Sequence, residues 1–152
     1  MNEAEFETLF CETAPRLRRY LARLCVDADD LLQETFFRYL RAGYTVTGEE
    51  RTKVLFTIAT NLARNQWSRK REHTPLEESM PAPPGDPTAR IDLIAALNKL
   101  APRERALIWL TCAEGYGHDE AARIAGVGRA SVRVLLFRAR RKLMRFLEDE
   151  DD

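Results

Sequence analysis

The 152-residue chain has little that serves cross-linking, membrane insertion or strand pairing. Its three cysteines, Cys11, Cys25 and Cys112, form no C-x-x-C pair, and an odd count argues against a disulfide scaffold. The longest apolar runs are a few residues, far below the roughly 20 that a membrane-spanning helix needs. The opening Met1-Asn2-Glu3-Ala4-Glu5 is acidic and unlike a secretory signal, so a cytoplasmic protein is expected. No stretch alternates apolar and polar residues beside hairpin turn pairs, which removes the signal for strands. The two histidines, His73 and His118, have no cysteine at metal spacing beside them. There is no G-x-S-x-G and no P-loop. Gly126-Val-Gly-Arg-Ala-Ser131 imitates half a dinucleotide fingerprint, but no strand precedes it. With no convergent acid, base and nucleophile, an enzyme is excluded, and no catalytic residue, metal or cofactor is expected.

What the chain does have is helical spacing and segregated charge. At 45% hydrophobic and 32% charged it is neither a disordered nor a collagen-like chain. Lys+Arg and Asp+Glu are 24 each, yet the last five residues, 148–152, are all acidic, and without them the balance is 24 − 19 = +5. Residues 121–147 hold eight Arg/Lys and no acid, and a second basic cluster, Arg64-Asn-Gln-Trp-Ser-Arg-Lys-Arg71, lies mid-chain. The first thirty residues hold seven acids and four bases. This asymmetry suggests one surface for a polyanion and another for a protein.

Five of the seven prolines fall in residues 75–87, where fixed φ and missing donors oppose a helix. This segment reads as an extended linker over residues 74–90, between domains at 1–73 and 91–147, with an acidic tail at 148–152. Domains this small are marginal alone, so a partner is expected to stabilise each. Apolar residues recur at helical intervals throughout. Phe6, Leu9 and Phe10, then Leu17, Leu21 and Leu24, suggest the first helices. Leu32, Phe36, Tyr39 and Leu40 form the next stripe; Leu55, Ile58, Ala59 and Leu62 form another. After the linker come Ile91, Ile94, Leu97 and Leu100, then Leu107, Ile108 and Thr111, and finally Val132, Leu136, Ala139 and Leu143. The expected class is all-α: two small helical domains joined by the Pro-rich linker.

Within residues 118–143, a short acid-led helix over 119–125 precedes Gly126-Val-Gly128, and a long helix begins near Arg129. Acids suit the positive helix end, glycine suits a tight turn, and Ala122, Val127 and Val132 would close a helix-turn-helix corner. At 100° steps Val132, Leu136, Ala139 and Leu143 share one side, while Arg133, Val134, Phe137, Arg138 and Arg141 share the other. Such a basic face fits the major groove of DNA; a solvated charged face is the plainer reading, and one that usually mixes signs.

Asp27-Ala-Asp-Asp-Leu-Leu-Gln-Glu-Thr-Phe-Phe-Arg38 opens acidic, with Asp27 or Asp29 as the cap, and sets Asp30, Gln33, Glu34 and Arg38 on one polar face. By pattern alone this face is solvated. The helix from Lys53 carries Asn61, Arg64 and Asn65 on its polar side and ends in bases around Trp67. Trp67 either stacks on unpaired bases while the cations hold phosphate, or covers the domain's edge.

These segments, in this order, resemble the extracytoplasmic-function sigma factors of bacterial RNA polymerase. Asp27-Ala-Asp-Asp-Leu-Leu-Gln-Glu-Thr-Phe36 is similar to the signature of conserved region two. Leu55-Phe-Thr-Ile-Ala-Thr-Asn-Leu62 and Arg69-Lys-Arg71 resemble that region's second half. Leu100-Ala-Pro-Arg-Glu-Arg105, Glu114-Gly115, Asp119-Glu-Ala-Ala122 and Arg138-Ala-Arg-Arg-Lys-Leu143 resemble region four. The resemblance implies that Asp30, Gln33, Glu34 and Phe36 dock on the clamp helices of the polymerase's largest subunit, with the flap a further contact. It implies that the 42–52 loop with Asn61, Arg64, Asn65 and Trp67 engages the melted minus-ten element, with Arg69, Lys70 and Arg71 on phosphate. It implies that Arg129, Ser131, Arg133, Val134, Phe137, Arg138 and Arg141 read the minus-thirty-five element. An anti-sigma factor is the further partner implied, and the free chain is expected to be a monomer.

The departures from the family's usual pattern are Gly128 for a capping Ser, Val54 for a Trp, and Val134, Leu135 and Phe137 where polar or basic residues are usual. Val134 and Phe137 would point outward, toward thymine methyls or a partner protein. A sigma-like decoy that sequesters an anti-sigma factor would suit the acidic tail and these apolar residues, but has no need of the basic clusters. A simple helix-turn-helix regulator would not need the Asp27 helix or the Trp67 cluster.

Overall fold

A computed structural model describes residues 1–70 and 87–150 of the chain, with the side chains of 68–70, 87–92 and 149–150 left aside. The described residues are helical without strands: α1 (Glu3–Leu24), α2 (Ala28–Ala42), α3 (Glu49–Lys70), α4 (Pro87–Asn98), α5 (Pro102–Ile108), a π-helical turn (Trp109–Ala113), α6 (His118–Ala125) and α7 (Arg129–Glu150). They form two compact units, Met1–Leu76 and Glu77–Asp152.

In the first unit α1, α2 and α3 pack against one another. Asn2 starts α1 with a capping box: its Oδ1 accepts from the Glu5 N–H at 2.8 Å, and the Glu5 carboxylate accepts from the Asn2 N–H at 3.4 Å. The sequence suggests more than one helix before Leu24. The structure has one, running through an exposed Pro15, because the stripe Leu9, Leu17, Tyr20, Leu21, Leu24 buries one continuous face against the other two helices. That burial offsets the missing proline donor. Gly43, at φ 69°, ends α2 in the left-handed conformation. The core joins these α1 residues to Leu31, Leu32, Phe36 and Tyr39 of α2 and Leu55, Phe56, Ala59 and Ala63 of α3.

Several polar groups in this core are hydrogen-bonded, although the buried Tyr39 hydroxyl has no hydrogen-bond partner among the described residues. The Thr60 hydroxyl donates to the Phe56 carbonyl at 2.7 Å, so the Tyr20 hydroxyl, 2.7 Å away, donates to Thr60. Burial pushes the Tyr20 phenol far above its ordinary value. Thr35 likewise donates to the Leu31 carbonyl. Arg23 is buried as well, and desolvation lowers its guanidinium from its ordinary value.

The second unit assembles shorter pieces around α7. Helix α4 begins at Pro87, inside the stretch read as linker: proline is favoured at the first helical position, where no amide bond is needed. Helix α7 continues to Glu150, into the acidic run read as tail. Leu97, Leu100, Leu107, Leu110, Ala121, Ala122, Ile124, Val132, Leu136 and Ala139 form the core. Two charges are buried among them. The Arg105 guanidinium donates to the carbonyls of Leu97 (2.9 Å), Asn98 (3.1 Å) and Leu100 (3.0 Å), where α4 has run out of internal donors. The Glu104 carboxylate accepts from the Ala101 N–H at 3.2 Å and from Lys142 of α7 at 3.1 Å.

Cys25 is buried and donates to the Leu21 carbonyl, while Cys11 and Cys112 are exposed.

Candidate nucleic-acid interface

The corner between α6 and α7 is set by backbone geometry. Gly126, at φ 73°, ends α6, and the Val127 N–H returns to the Ala122 carbonyl at 2.9 Å, the doubled-back bond of a Schellman motif. Ala121 and Ala122 are buried, so α6 meets its neighbours closely. Gly128 stands just before α7, with the Ser131 N–H bonded to its carbonyl at 3.0 Å; a Cβ there would meet only the Ser131 hydroxyl, at 4.0 Å, so a serine would fit.

Helix α7 divides as its periodicity predicts. Val132, Leu136 and Ala139 are buried and Leu143 half-buried. Arg129, Ser131, Arg133, Val134, Phe137, Arg138 and Arg141 are all exposed. Arg129 forms a two-pronged pair with Asp119 of α6, at 3.2 and 2.9 Å, across the helix-turn-helix corner. Arg133 and Arg138 make no ion pair among the described residues. The Arg141 guanidinium lies 5.6 Å from the Phe137 ring centroid, a cation–π contact that holds it along the outward face. Lys142 instead points back to Glu104. The basic run therefore has two members paired within the unit, Arg129 and Lys142, and others that face outward.

On α2, Asp30 and Gln33 are exposed, and Glu34 pairs with Arg38 at 2.9 Å. Phe36, in the core stripe by its spacing, is 3% exposed and packs 4.9 Å from Phe10 and 6.0 Å from Phe6 between ring centroids, so its side chain is not on the outer face of α2. Its neighbour Phe37 is 57% exposed, and Leu40, expected in the core stripe, is exposed too. The exposed aromatic of α2 is therefore Phe37. Asp27 precedes α2 but makes no side-chain cap; its carboxylate accepts from Gln66 of α3 at 3.3 Å. Asp29 is bound to Arg18 of α1 at 2.7 Å, which holds its carboxyl below the usual carboxylate range.

On α3, Asn61 and Asn65 are exposed and Arg64 is half-buried. The Trp67 indole is half-buried and donates to the Leu24 carbonyl at 2.8 Å, taking up one of the orphan carbonyls at the end of α1. Its N–H is thus committed to the fold at the edge of the unit. The side chains of Arg69 and Lys70, and all of Arg71, lie outside the described residues. So do most of the linker and the last two residues of the tail.

Glu104, Arg105, Gln66 and Phe37 went unnoticed as structural or surface residues in their own right. The first two carried a signal: Pro102 at a helix start with a glutamate two residues on marks an N-terminus. Among the described residues no group of three metal-binding side chains occurs, and no helix is long and apolar enough to cross a membrane.

The family model Sigma-70, region 4 matches residues 90–143, the span from α4 into α7. The RNA polymerase sigma factor CarQ of Myxococcus xanthus is 32% identical over 154 residues, covering 93% of this chain and 88% of that protein. The ECF RNA polymerase sigma factor EcfG of Rhodopseudomonas palustris is 31% identical over 145 residues, covering 88% and 80%. The solved sigma factor RpoE of Bartonella quintana, in complex with the anti-sigma factor NepR, superposes with a TM-score of 0.78 at 26% identity, covering 95% of this chain and 97% of that one. CnrH, in complex with the cytosolic domain of CnrY, superposes with a TM-score of 0.69 at 25% identity, covering 97% and 90%. With the all-helical fold and the helix-turn-helix face already in place, these likenesses show that the chain belongs to the extracytoplasmic-function (ECF) sigma factors of RNA polymerase.

Proposed function

We propose that the protein joins core RNA polymerase, carries it to promoters through the minus-ten and minus-thirty-five elements, and helps open the duplex, with no bond chemistry of its own. The observation that carries this reading is the outward face of α7, where exposed arginines stand on the second helix of a helix-turn-helix with no acid between residues 121 and 147. A face of one sign is poorly suited to solubility alone and well suited to phosphate. Arg133 and Arg138 serve phosphate or base edges, and Ser131 and Arg141 flank them. The first unit supplies the second reader, with Asn61, Arg64 and Asn65 toward the melted strand, Trp67 as the fixed edge beside them, and Arg69, Lys70 and Arg71 on phosphate.

The α2 face serves polymerase. Asp30, Gln33 and Glu34 form its polar rim and Phe37, in place of Phe36, its apolar centre. An anti-sigma factor is the regulatory partner, a reading supported by the complex in which RpoE was solved. The compartment is that of the polymerase, the cytoplasm, and the free chain is a monomer. Either reader alone binds weakly; held on polymerase, both gain effective concentration on one promoter.

Run-off transcription with purified core polymerase over a promoter library tests the whole reading. Specific transcripts that depend on the added chain are expected, and their absence would reduce it to a decoy. Arg133→Ala with Arg138→Ala should weaken upstream-element binding and lower the salt slope by about 2, since two phosphate contacts release fewer counterions; an unchanged slope would remove α7 from the groove. Asp30→Ala with Gln33→Ala should cut co-purification with core polymerase several-fold and leave duplex binding intact, and normal co-purification would reassign the α2 face.

A further inference from the structure

We propose that Val134 is a specificity determinant of the upstream reader: it selects thymine by contact with the C5-methyl group. This rests on the sigma-factor reading and adds which base the outward face of α7 favours.

The placement is geometric. At about 100° per residue, Val134 falls within about 20° of the pole opposite the buried Val132, Leu136 and Ala139. It is 49% exposed. Ala130, one turn earlier, is exposed near the same pole and small enough to let the backbone approach a groove floor. Exposed Arg133, Arg138 and Arg141 surround it. The other large apolar residue nearby, Phe137, already carries the Arg141 guanidinium on its ring.

An apolar side chain amid guanidinium groups needs a counter-surface with two properties at once. It must be anionic around the edge and apolar at the centre. The major groove provides both: phosphates flank it, and the thymine methyl is its apolar feature on the base edges. A protein surface could provide them only by burying acids opposite each arginine. Valine also suits the task because a β-branched side chain in a helix holds one dominant χ1 rotamer, so little freedom is lost on contact.

The test uses the full chain bound to core polymerase. Duplexes enriched from a random pool define the upstream element, and each thymine in it is then replaced by uracil, which removes the methyl and keeps every hydrogen-bonding group. At one or two positions uracil should weaken binding about three- to five-fold, the scale of one apolar carbon withdrawn from contact. Val134→Ala should erase most of that difference at the same position and leave the salt slope unchanged, since no charge is lost. Equal binding of thymine and uracil duplexes at every position of an enriched element overturns the inference and leaves the sigma reading standing. Failure to enrich any element overturns the promoter reading itself, and this inference with it. A Val134→Ala chain with unaltered thymine preference but a weakened protein complex assigns the pole to a partner, and that too overturns the proposal.

Discussion

Among the described residues the first unit is made of helices of 22, 15 and 22 residues, and the second of helices of 12, 7 and 8 residues and a five-residue π turn set around one of 22. Each long helix buries an apolar stripe of its own. In the second unit α4 ends beside the start of α5, so backbone groups without helical partners come close to the interior. Its buried charges sit at those ends: Arg105 at the last carbonyls of α4 and just beyond, and Glu104 at the Ala101 N–H that precedes α5 and on Lys142 of α7. A short helix carries nearly as many orphan backbone groups as a long one, with far less apolar face to compensate. Ionised side chains inside the second unit answer that imbalance.

The contrast can be broken by substitution, because each unit holds one of the two tryptophans, Trp67 in the first and Trp109 in the second. Arg105→Met has the largest expected effect. It withdraws the guanidinium from three carbonyls, of which that of Leu97 keeps the Leu100 N–H, and should destabilise the second unit by about 3–5 kcal/mol. In denaturant titration the Trp109 transition should move and the Trp67 transition should not. A loss below about 1 kcal/mol would show that the charge is not what joins α4 to α5.

Leu17→Ala comes next. It removes a fully buried side chain from the first unit and should cost about 3 kcal/mol, read by Trp67 alone. Equal movement of both tryptophan signals would mean that the units do not unfold separately. Tyr20→Phe is the smallest of the three. It deletes one buried hydrogen bond while Thr60 keeps its bond to Phe56, so a loss of about 1 kcal/mol is expected. A loss as large as that of Leu17→Ala would show that the first unit, too, depends on polar contacts.

The same contrast explains what could be read from the sequence. Stripes such as Leu17, Leu21 and Leu24, or Val132, Leu136 and Ala139, declare their burial by spacing, and the helix-turn-helix corner declares itself through Gly126 and the alanines of α6. Residues at the border of a stripe do not. Phe37 stands outside the stripe that buries its neighbour Phe36 against Phe6 and Phe10, and spacing says nothing of what an exposed aromatic meets. Leu40 follows the spacing of its stripe and is still exposed, in the last turn of α2. Charges that serve the interior are the hardest to find. Arg105 looks like any surface arginine until the end of α4 is placed beside it, and Asp27 looks like a cap until Gln66 arrives from a helix 39 residues later.

The thiols offer an experimental handle. Cys11 and Cys112 are accessible, one in each unit, whereas Cys25 is enclosed and bonded to the Leu21 carbonyl. Maleimide dyes should therefore attach at two sites of the natural sequence and spare the third. A donor–acceptor pair introduced this way would follow the distance between the two halves in real time, first in the free chain and then as polymerase or an inhibitor engages it, with no residue changed.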